Sequence, residues 1–252
     1  ALLEPIPLTK TKKPPVIPSR IDPQRRNATV FLADVYHGKG LNGVPRGAVK
    51  KLRLFTYHFQ YLGMSPTVRN SVGGDGPWEP LRVLGTVPVA SDGSASFRIP
   101  ANTPISVQPL DENGAALQLM RSWMTAMPGE NVSCLGCHES QSDASPVAIS
   151  ATIGRKPSEI TSPGGPPRGF SFRREVQPIL QKYCVGCHNG QPRKDGKTPP
   201  DLRREETSSA DGSYSRAYRT LYAYTRTPSL ESDMHMLIPS DFHADNSELI
   251  QM

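Results

Sequence analysis

The sequence predicts a mixed fold: a β-sandwich-like domain over residues 28–140, then a mostly α domain over residues 170–252. Three observations predict it. Residues 28–133 hold short alternating runs of β-branched and aromatic residues with turn signals between them. Residues 170–188 switch to the apolar spacing of a helix. A Ser-, Pro- and Gly-rich stretch, 141–169, separates the two and ends in Ser162-Pro163-Gly164-Gly165-Pro166-Pro167, the clearest boundary in the chain.

Residues 1–27 read as a linker. Pro5, Pro7, Pro14, Pro15, Pro18 and Pro23 disfavour regular helix and favour extended polyproline geometry. A linker of this length leads one to expect a further domain ahead of Ala1. It also carries Lys10, Lys12, Lys13, Arg20, Arg25 and Arg26. These suit a solvated tail, or docking to an acidic redox partner.

The β region is expected to hold strands at Thr29–Tyr36, Lys51–Tyr61, Leu81–Val89, Ser94–Ile99 and Ile105–Leu110. Lys51–Tyr61 alternates most cleanly. Leu52, Leu54, Thr56 and His58 face one way, and Phe55, Tyr57, Phe59 and Tyr61 the other. Gly73-Gly74-Asp75-Gly76-Pro77, Asp92-Gly93, Asn102 with Pro104, and Asn113-Gly114 mark the turns. Ala115–Met127 reads as strand passing into loop before Pro128-Gly129. Short strands at this spacing suggest a sandwich or barrel.

In the second region Phe172, Val176, Ile179, Leu180 and Tyr183 share one helical face. Ser171 is the expected cap, and Pro178 the expected kink. Ser213–Tyr224 reads as a further helix. Ser247–Met252 looks like the first turns of another, capped by Asp245 or Asn246, so the chain is expected to continue beyond Met252.

Net charge is +6, apolar residues are 36% of the chain, and Pro (26) and Gly (21) are plentiful enough to make much of it loop. The pI is about 9.2. No helix or strand pattern places the basic residues in a nucleic-acid groove, so nucleic acid is not an expected partner. No apolar run approaches the roughly 18 residues of a membrane span.

The chemistry is concentrated in two pentapeptides, Cys134-Leu135-Gly136-Cys137-His138 and Cys184-Val185-Gly186-Cys187-His188. They use all four cysteines. C-x-x-C-H is the spacing of covalent c-type haem attachment. Two thiols on one turn reach the porphyrin vinyl groups, and the following imidazole falls under the iron as proximal ligand. A paired-cysteine zinc site usually has roughly 15–20 residues between its pairs, whereas residues 138–183 intervene here and each histidine would be surplus. Disulfides across a two-residue gap are strained and leave the histidines without a role. A thioredoxin-like motif needs a βαβ pattern that is not visible. The expected cofactors are therefore two covalently attached haem c groups. They are tethered by Cys134, Cys137, Cys184 and Cys187, with His138 and His188 as iron ligands. This chemistry places the protein in the periplasm or otherwise outside the cytoplasmic membrane.

The sixth ligand decides between electron transfer and catalysis. Candidates for the first haem are His58, His37, Met120, Met124 and Met127. Candidates for the second are His235, His243, Met234 and Met236, or a residue beyond Met252. The first motif has no helix leading into it and is expected on a loop of the β domain. The second ends a helix, as in small cytochrome c domains.

Val83–Val89 (VLGTVPV), Asp92–Asp111 (DGSASFRIPANTPISVQPLD) and Leu117–Glu130 (LQLMRSWMTAMPGE), leading into CLGCHE, resemble the middle domain of proteins related to the hydrazine synthase alpha subunit. These are multihaem proteins of planctomycete-type bacteria. Arg174–His188 (REVQPILQKYCVGCH) and Phe242–Met252 (FHADNSELIQM) resemble their C-terminal cytochrome c domain. The resemblance implies an N-terminal β-propeller ahead of the linker. It implies a first haem where hydroxylamine and ammonia combine in hydrazine synthase itself, and a second, electron-passing haem with two histidine ligands, the distal one past Met252. It also implies other haem or redox subunits in a larger complex, and an anammoxosome-like compartment if the chain is a true hydrazine synthase. One feature departs from the family. A tyrosine shortly after the first motif ligates iron there, while the motif histidine is diverted to zinc. Here Glu139, Ser140, Gln141, Ser142 and Asp143 follow, and the next tyrosine is Tyr183. That favours ordinary ligation by His138. The sequence thus supports a dihaem electron-transfer module. The alternative is a catalytic oxidoreductase subunit of the hydrazine synthase type, acting on small nitrogen compounds at an open first haem.

Overall fold

The computed structural model describes residues 9–10, 12–16, 18–57, 81–140, 142–144, 150–162, 164–165, 170–205, 214–226 and 236–251. His58, His235 and Met234 lie outside the described residues.

Among the described residues six strands form two three-stranded sheets. They are β1 (Asn27–Leu32), β2 (Lys51–Tyr57), β3 (Leu81–Pro88), β4 (Ala95–Pro100), β5 (Ile105–Leu110) and β6 (Asn131–Cys134). One sheet has the order β4-β1-β6, the other β3-β2-β5. All pairs are antiparallel except β1 with β6, which is parallel. The alternation read from the sequence is the alternation of burial. Leu52, Leu54 and Thr56 of β2 are buried, while Phe55 and Tyr57 are half-buried. Val30, Leu32, Phe97 and Ile99 of one sheet meet Leu52, Leu54, Val87 and Ile105 of the other in one core. Each such side chain, taken fully from water, contributes about 1.5–3 kcal/mol.

Residues 150–162, inside the expected linker, do not leave the sandwich. Thr161 exchanges two backbone hydrogen bonds of 2.9 Å with Thr86 of β3. The Ser158 N–H donates to Ser96 of β4 (2.8 Å), and the Ser158 carbonyl accepts from Arg98 (3.0 Å). The segment thus closes the sandwich along its β3/β4 edge. Gly85 makes room for it, with φ +143° and no space for a side chain against the Thr161 carbonyl. A loop with few apolar residues can dock this way because its backbone groups complete an open sheet edge.

Ala115–Met127 forms no continuous strand. It touches the sheet at two isolated bridges, Ala116 with Leu110 and Met124 with Ile105. The stretch between them bows away and walls a cavity.

Residues 172–176 form a π-helical turn that passes into α1 (Gln177–Tyr183). Ser171 precedes it but makes no side-chain cap; its own N–H donates instead to Glu175 Oε2 (2.6 Å). Pro178 sits in the first turn of α1, where its missing N–H leaves no helical bond unmade. α2 (Arg216–Tyr222) is capped by the Ser215 hydroxyl, and α3 (Glu248–Gln251) follows a 3₁₀ turn at Ala244–Asn246. Leu180, Leu202 and Ala217 form a small core with Phe172, Val176, Cys184, Val185 and Leu221 packed on it. Tyr218 lies on Tyr214 and takes Phe172 edge-on, at centroid distances of 4.5 and 5.3 Å.

Candidate functional site

The first motif begins on a strand. Cys134 ends β6 and pairs with Leu32 of β1. From there the chain turns along the loop after β1. Its carbonyls take N–H donors in sequence: Cys134 from Ala33 (2.9 Å), Leu135 from Asp34 (3.0 Å), Cys137 from Gly40 (2.9 Å). The two loops touch so closely that three glycines are required. A β-carbon at Gly136 would overlap the His37 and Asp34 backbone. One at Gly38 or Gly40 would come within 2.6 or 2.8 Å of the Cys137 carbonyl oxygen. His138 closes the turn in the left-handed region, at φ +59°, a conformation that costs an L-residue roughly 1 kcal/mol or more. Burial pushes both thiols up, Cys137 to about 12, with Cys134, Glu139 and Asp34 adding to it.

Cys134, Cys137 and His138 border one cavity of about 620 Å³, within the range of roughly 300–1,000 Å³ usual for ligand sites. It opens between the β6 edge of one sheet and the β5 edge of the other, opposite the edge closed by 158–161. Val30, Leu32, Leu52, Phe97 and Val107 give it an apolar floor. The bowed stretch Gln118–Ser122 with Met124 walls it, and Met236 and Leu237 lie at the side. Arg121 and Ser122 add polar groups. Among the described residues no three His, Cys, Asp or Glu side chains converge on a point as an ion site would require. Two thiols and an imidazole spread along an apolar cavity suit a broad, flat group. The residues present therefore fit a covalently held porphyrin.

The second motif continues α1. The Cys184 N–H donates to Leu180, and the His188 N–H to the Cys184 carbonyl (2.8 Å), so Leu180, Cys184 and His188 share a face. The His188 carbonyl accepts from Leu202 (3.0 Å), whose own carbonyl accepts from the buried Gln177 amide (2.9 Å). Asp201 anchors the same loop through Arg203 and Arg216 (2.7 and 2.9 Å). His188 Nδ1 is buried and has no hydrogen-bond partner among the described residues. A buried ring nitrogen without a partner is uncommon in a folded protein and costs about 1–3 kcal/mol. No cysteine is in a disulfide.

The sixth-position candidates part company. The His37 ring turns to Asp143 (3.2 Å), away from the cavity. Met127 stays half-exposed outside it, whereas Met120 and Met124 border it. His243 is engaged at both ring nitrogens, Nε2 with Asp111 (3.3 Å) and Nδ1 with the Asp245 N–H (3.3 Å). Met236, grouped with the second haem by its place in the sequence, borders the first cavity instead. Sequence reasoning passed over Gly38, Gly40, Gly136 and Gln118. The glycine inside the motif and the Gly38-Lys39-Gly40 turn were signals of close backbone approach.

A two-sheet sandwich with few helices, bearing a C-x-x-C-H on its edge strand, defines the class. Residues 47–139 match the family described as hydrazine synthase alpha subunit middle domain. Among solved structures the chain is similar to Kuenenia stuttgartiensis hydrazine synthase, with TM-score 0.60 and 20% identity. The match covers 81% of this chain and 34% of that one, so the chain spans about a third of its relative's length. No curated protein matches. The likeness to the hydrazine synthase alpha subunit thus lies in the middle-domain match over residues 47–139 and in a shared fold.

Proposed function

We propose that the chain is the dihaem c portion of a hydrazine synthase alpha-like protein and transfers electrons through two covalently bound haems. Cys134 and Cys137 tether the first and Cys184 and Cys187 the second, with His138 and His188 as proximal ligands. The second region then serves as a cytochrome c-like domain. Its core is small, and Ile179 and Tyr183 of α1 lie 57% and 70% exposed, apolar surface that a porphyrin would cover. The carrying observation is that Cys134, Cys137 and His138 of the first motif border one mostly apolar cavity. When bound, haem supplies a one-electron couple. The protein's part is to hold it, shield it from water and set its axial ligands. The likeness to a hydrazine synthase supports other haem or redox subunits as partners and a compartment outside the cytoplasm. No helix among the described residues is long and apolar enough to cross a membrane.

A denaturing gel stained for haem, with the intact mass, tests the attachment. Two haem additions to the wild type, falling to one in Cys134→Ala/Cys137→Ala and in Cys184→Ala/Cys187→Ala, are expected. A mass without haem overturns the proposal. The family match over the first motif favours a second reading, a catalytic first haem acting on small nitrogen compounds. Its mark is a high-spin first haem that binds nitric oxide or hydroxylamine; two low-spin haems exclude it.

A further inference from the structure

Residues 236–243 leave the second region and lie across the sandwich as a strap. Leu237 is buried. The Ser240 N–H donates to the Leu117 carbonyl (2.7 Å), and His243 meets Asp111 beyond the end of β5. One side chain ties this strap to the first motif. The Gln118 amide spends both its N–H groups on backbone carbonyls, those of Leu237 (3.0 Å) and Gly40 (2.6 Å). Gly40 in turn donates to Cys137 (2.9 Å). Three hydrogen bonds therefore connect Leu237 to the residue before His138, and its neighbour Met236 borders the cavity that His138 borders.

Three methionines border that cavity, Met120, Met124 and Met236. Met124 is committed elsewhere. Its backbone exchanges two hydrogen bonds with Ile105 (2.8 and 2.9 Å), and its side chain packs on the sandwich core. Met120 belongs to the wall, where its carbonyl accepts from Ser106 (2.8 Å). Met236 has no place in the core cluster, arrives from outside the sandwich, and is held in register by Gln118. A thioether needs no deprotonation to bind iron, and an imidazole–thioether pair is the axial set of electron-transferring cytochromes c.

We propose that Met236 supplies the sixth ligand to the iron held by His138, so that the region bearing the second motif completes the first haem. This rests on the haem reading of the first motif. The test is the far-red sulfur-to-iron charge-transfer band and the EPR spectrum of the full chain, ferric, beside haem stoichiometry. Wild type is expected to show the band. Met236→Leu should abolish it and turn one haem high-spin with two haems still attached. Gln118→Ala should lower its intensity, and Met120→Leu and Met124→Leu should leave it unchanged. A band absent from the wild type, retained in Met236→Leu or lost in Met120→Leu overturns the assignment with the haem reading intact. Loss of the first haem's mass in the wild type defeats that reading itself.

Discussion

At the scale of single residues, His138 and Gly136 show what the first motif demands of the backbone. His138 is one of three non-glycine residues with positive φ among the described residues. Such strain persists only where surrounding structure over-determines it, and here the loop after β1 does so through the Gly40 to Cys137 bond. Gly136 is the complementary case. Its φ is ordinary, so conformational freedom is not why it is glycine. The His37 carbonyl and the Asp34 carbonyl occupy the place of a side chain, and backbone cannot rotate away as a flexible side chain would. Gly136→Ala is expected to destabilise the haem-free chain by about 1–3 kcal/mol, the usual penalty of overpacking. Gly43→Ala, where nothing lies within 4 Å of an added carbon but φ is +84°, measures the cost of φ alone. Urea unfolding of the two variants separates contact from strain. An unchanged midpoint for Gly136→Ala would mean the two loops part easily, and the rigid clasp around the motif would be wrong.

At the scale of elements, the antiparallel strands were legible in the sequence and the parallel one was not. β2 and β5 announce themselves by period-two alternation or β-branched runs bounded by turns. β6 is four residues long, and its partner β1 lies about a hundred residues away. No local pattern encodes such a pairing, so Cys134 read as a loop residue. α1 was legible by its apolar face, yet its entry was not. The π turn at Phe172–Val176 follows from Glu175 reaching back to the Ser171 N–H, a choice invisible to a capping rule. The two C-x-x-C-H motifs could be read from spacing alone, but the cavity and the strap come from tertiary contacts at long separation. Gln177 shows the consequence for the second region. It is a buried polar residue on α1 whose amide holds the Leu202 carbonyl, and Leu202 is one of three buried apolar residues in that small core. Gln177→Ala leaves that carbonyl buried and unpaired, at a cost of about 1–3 kcal/mol. Gln181→Ala, which removes an exposed 3.3 Å contact to Arg204, should stay within about 0.5 kcal/mol. Thermal unfolding followed by circular dichroism reads both. Equal shifts for the two would show that the Gln177 bond does not hold the loop over His188.

At the scale of the whole molecule, the question is what holds the strap to the sandwich, because Met236 reaches the first cavity only while it stays there. The polar anchor at its far end is Asp111. Burial opposes ionisation of this carboxyl. The Ala115 N–H, the His243 imidazole and the Asn113 N–H together outweigh that and leave it below the usual carboxylate range. The sign follows from linkage. A carboxylate whose folded value is depressed contributes stability that is fully present above its unfolded value, about 3.9. That stability is lost as pH falls through the lower folded value. The strap anchor is therefore intact at neutral pH and fails only below about pH 4. Asp111→Asn cannot accept from His243 as an anion, so its deficit relative to wild type should be largest at neutral pH and close on acidification. Asp92 and Asp201 are also held low, by other partners, so both proteins lose stability in acid, and the difference between them isolates Asp111. Urea midpoints of wild type and Asp111→Asn from pH 7 to pH 3 make the measurement. In the haem-loaded chain the same variant should weaken the sulfur–iron band at neutral pH, because a strap loosened at His243 holds Met236 less firmly. A stability difference that stays constant with pH would show that Asp111 acts through packing or neutral hydrogen bonds, and the carboxylate would not be the anchor.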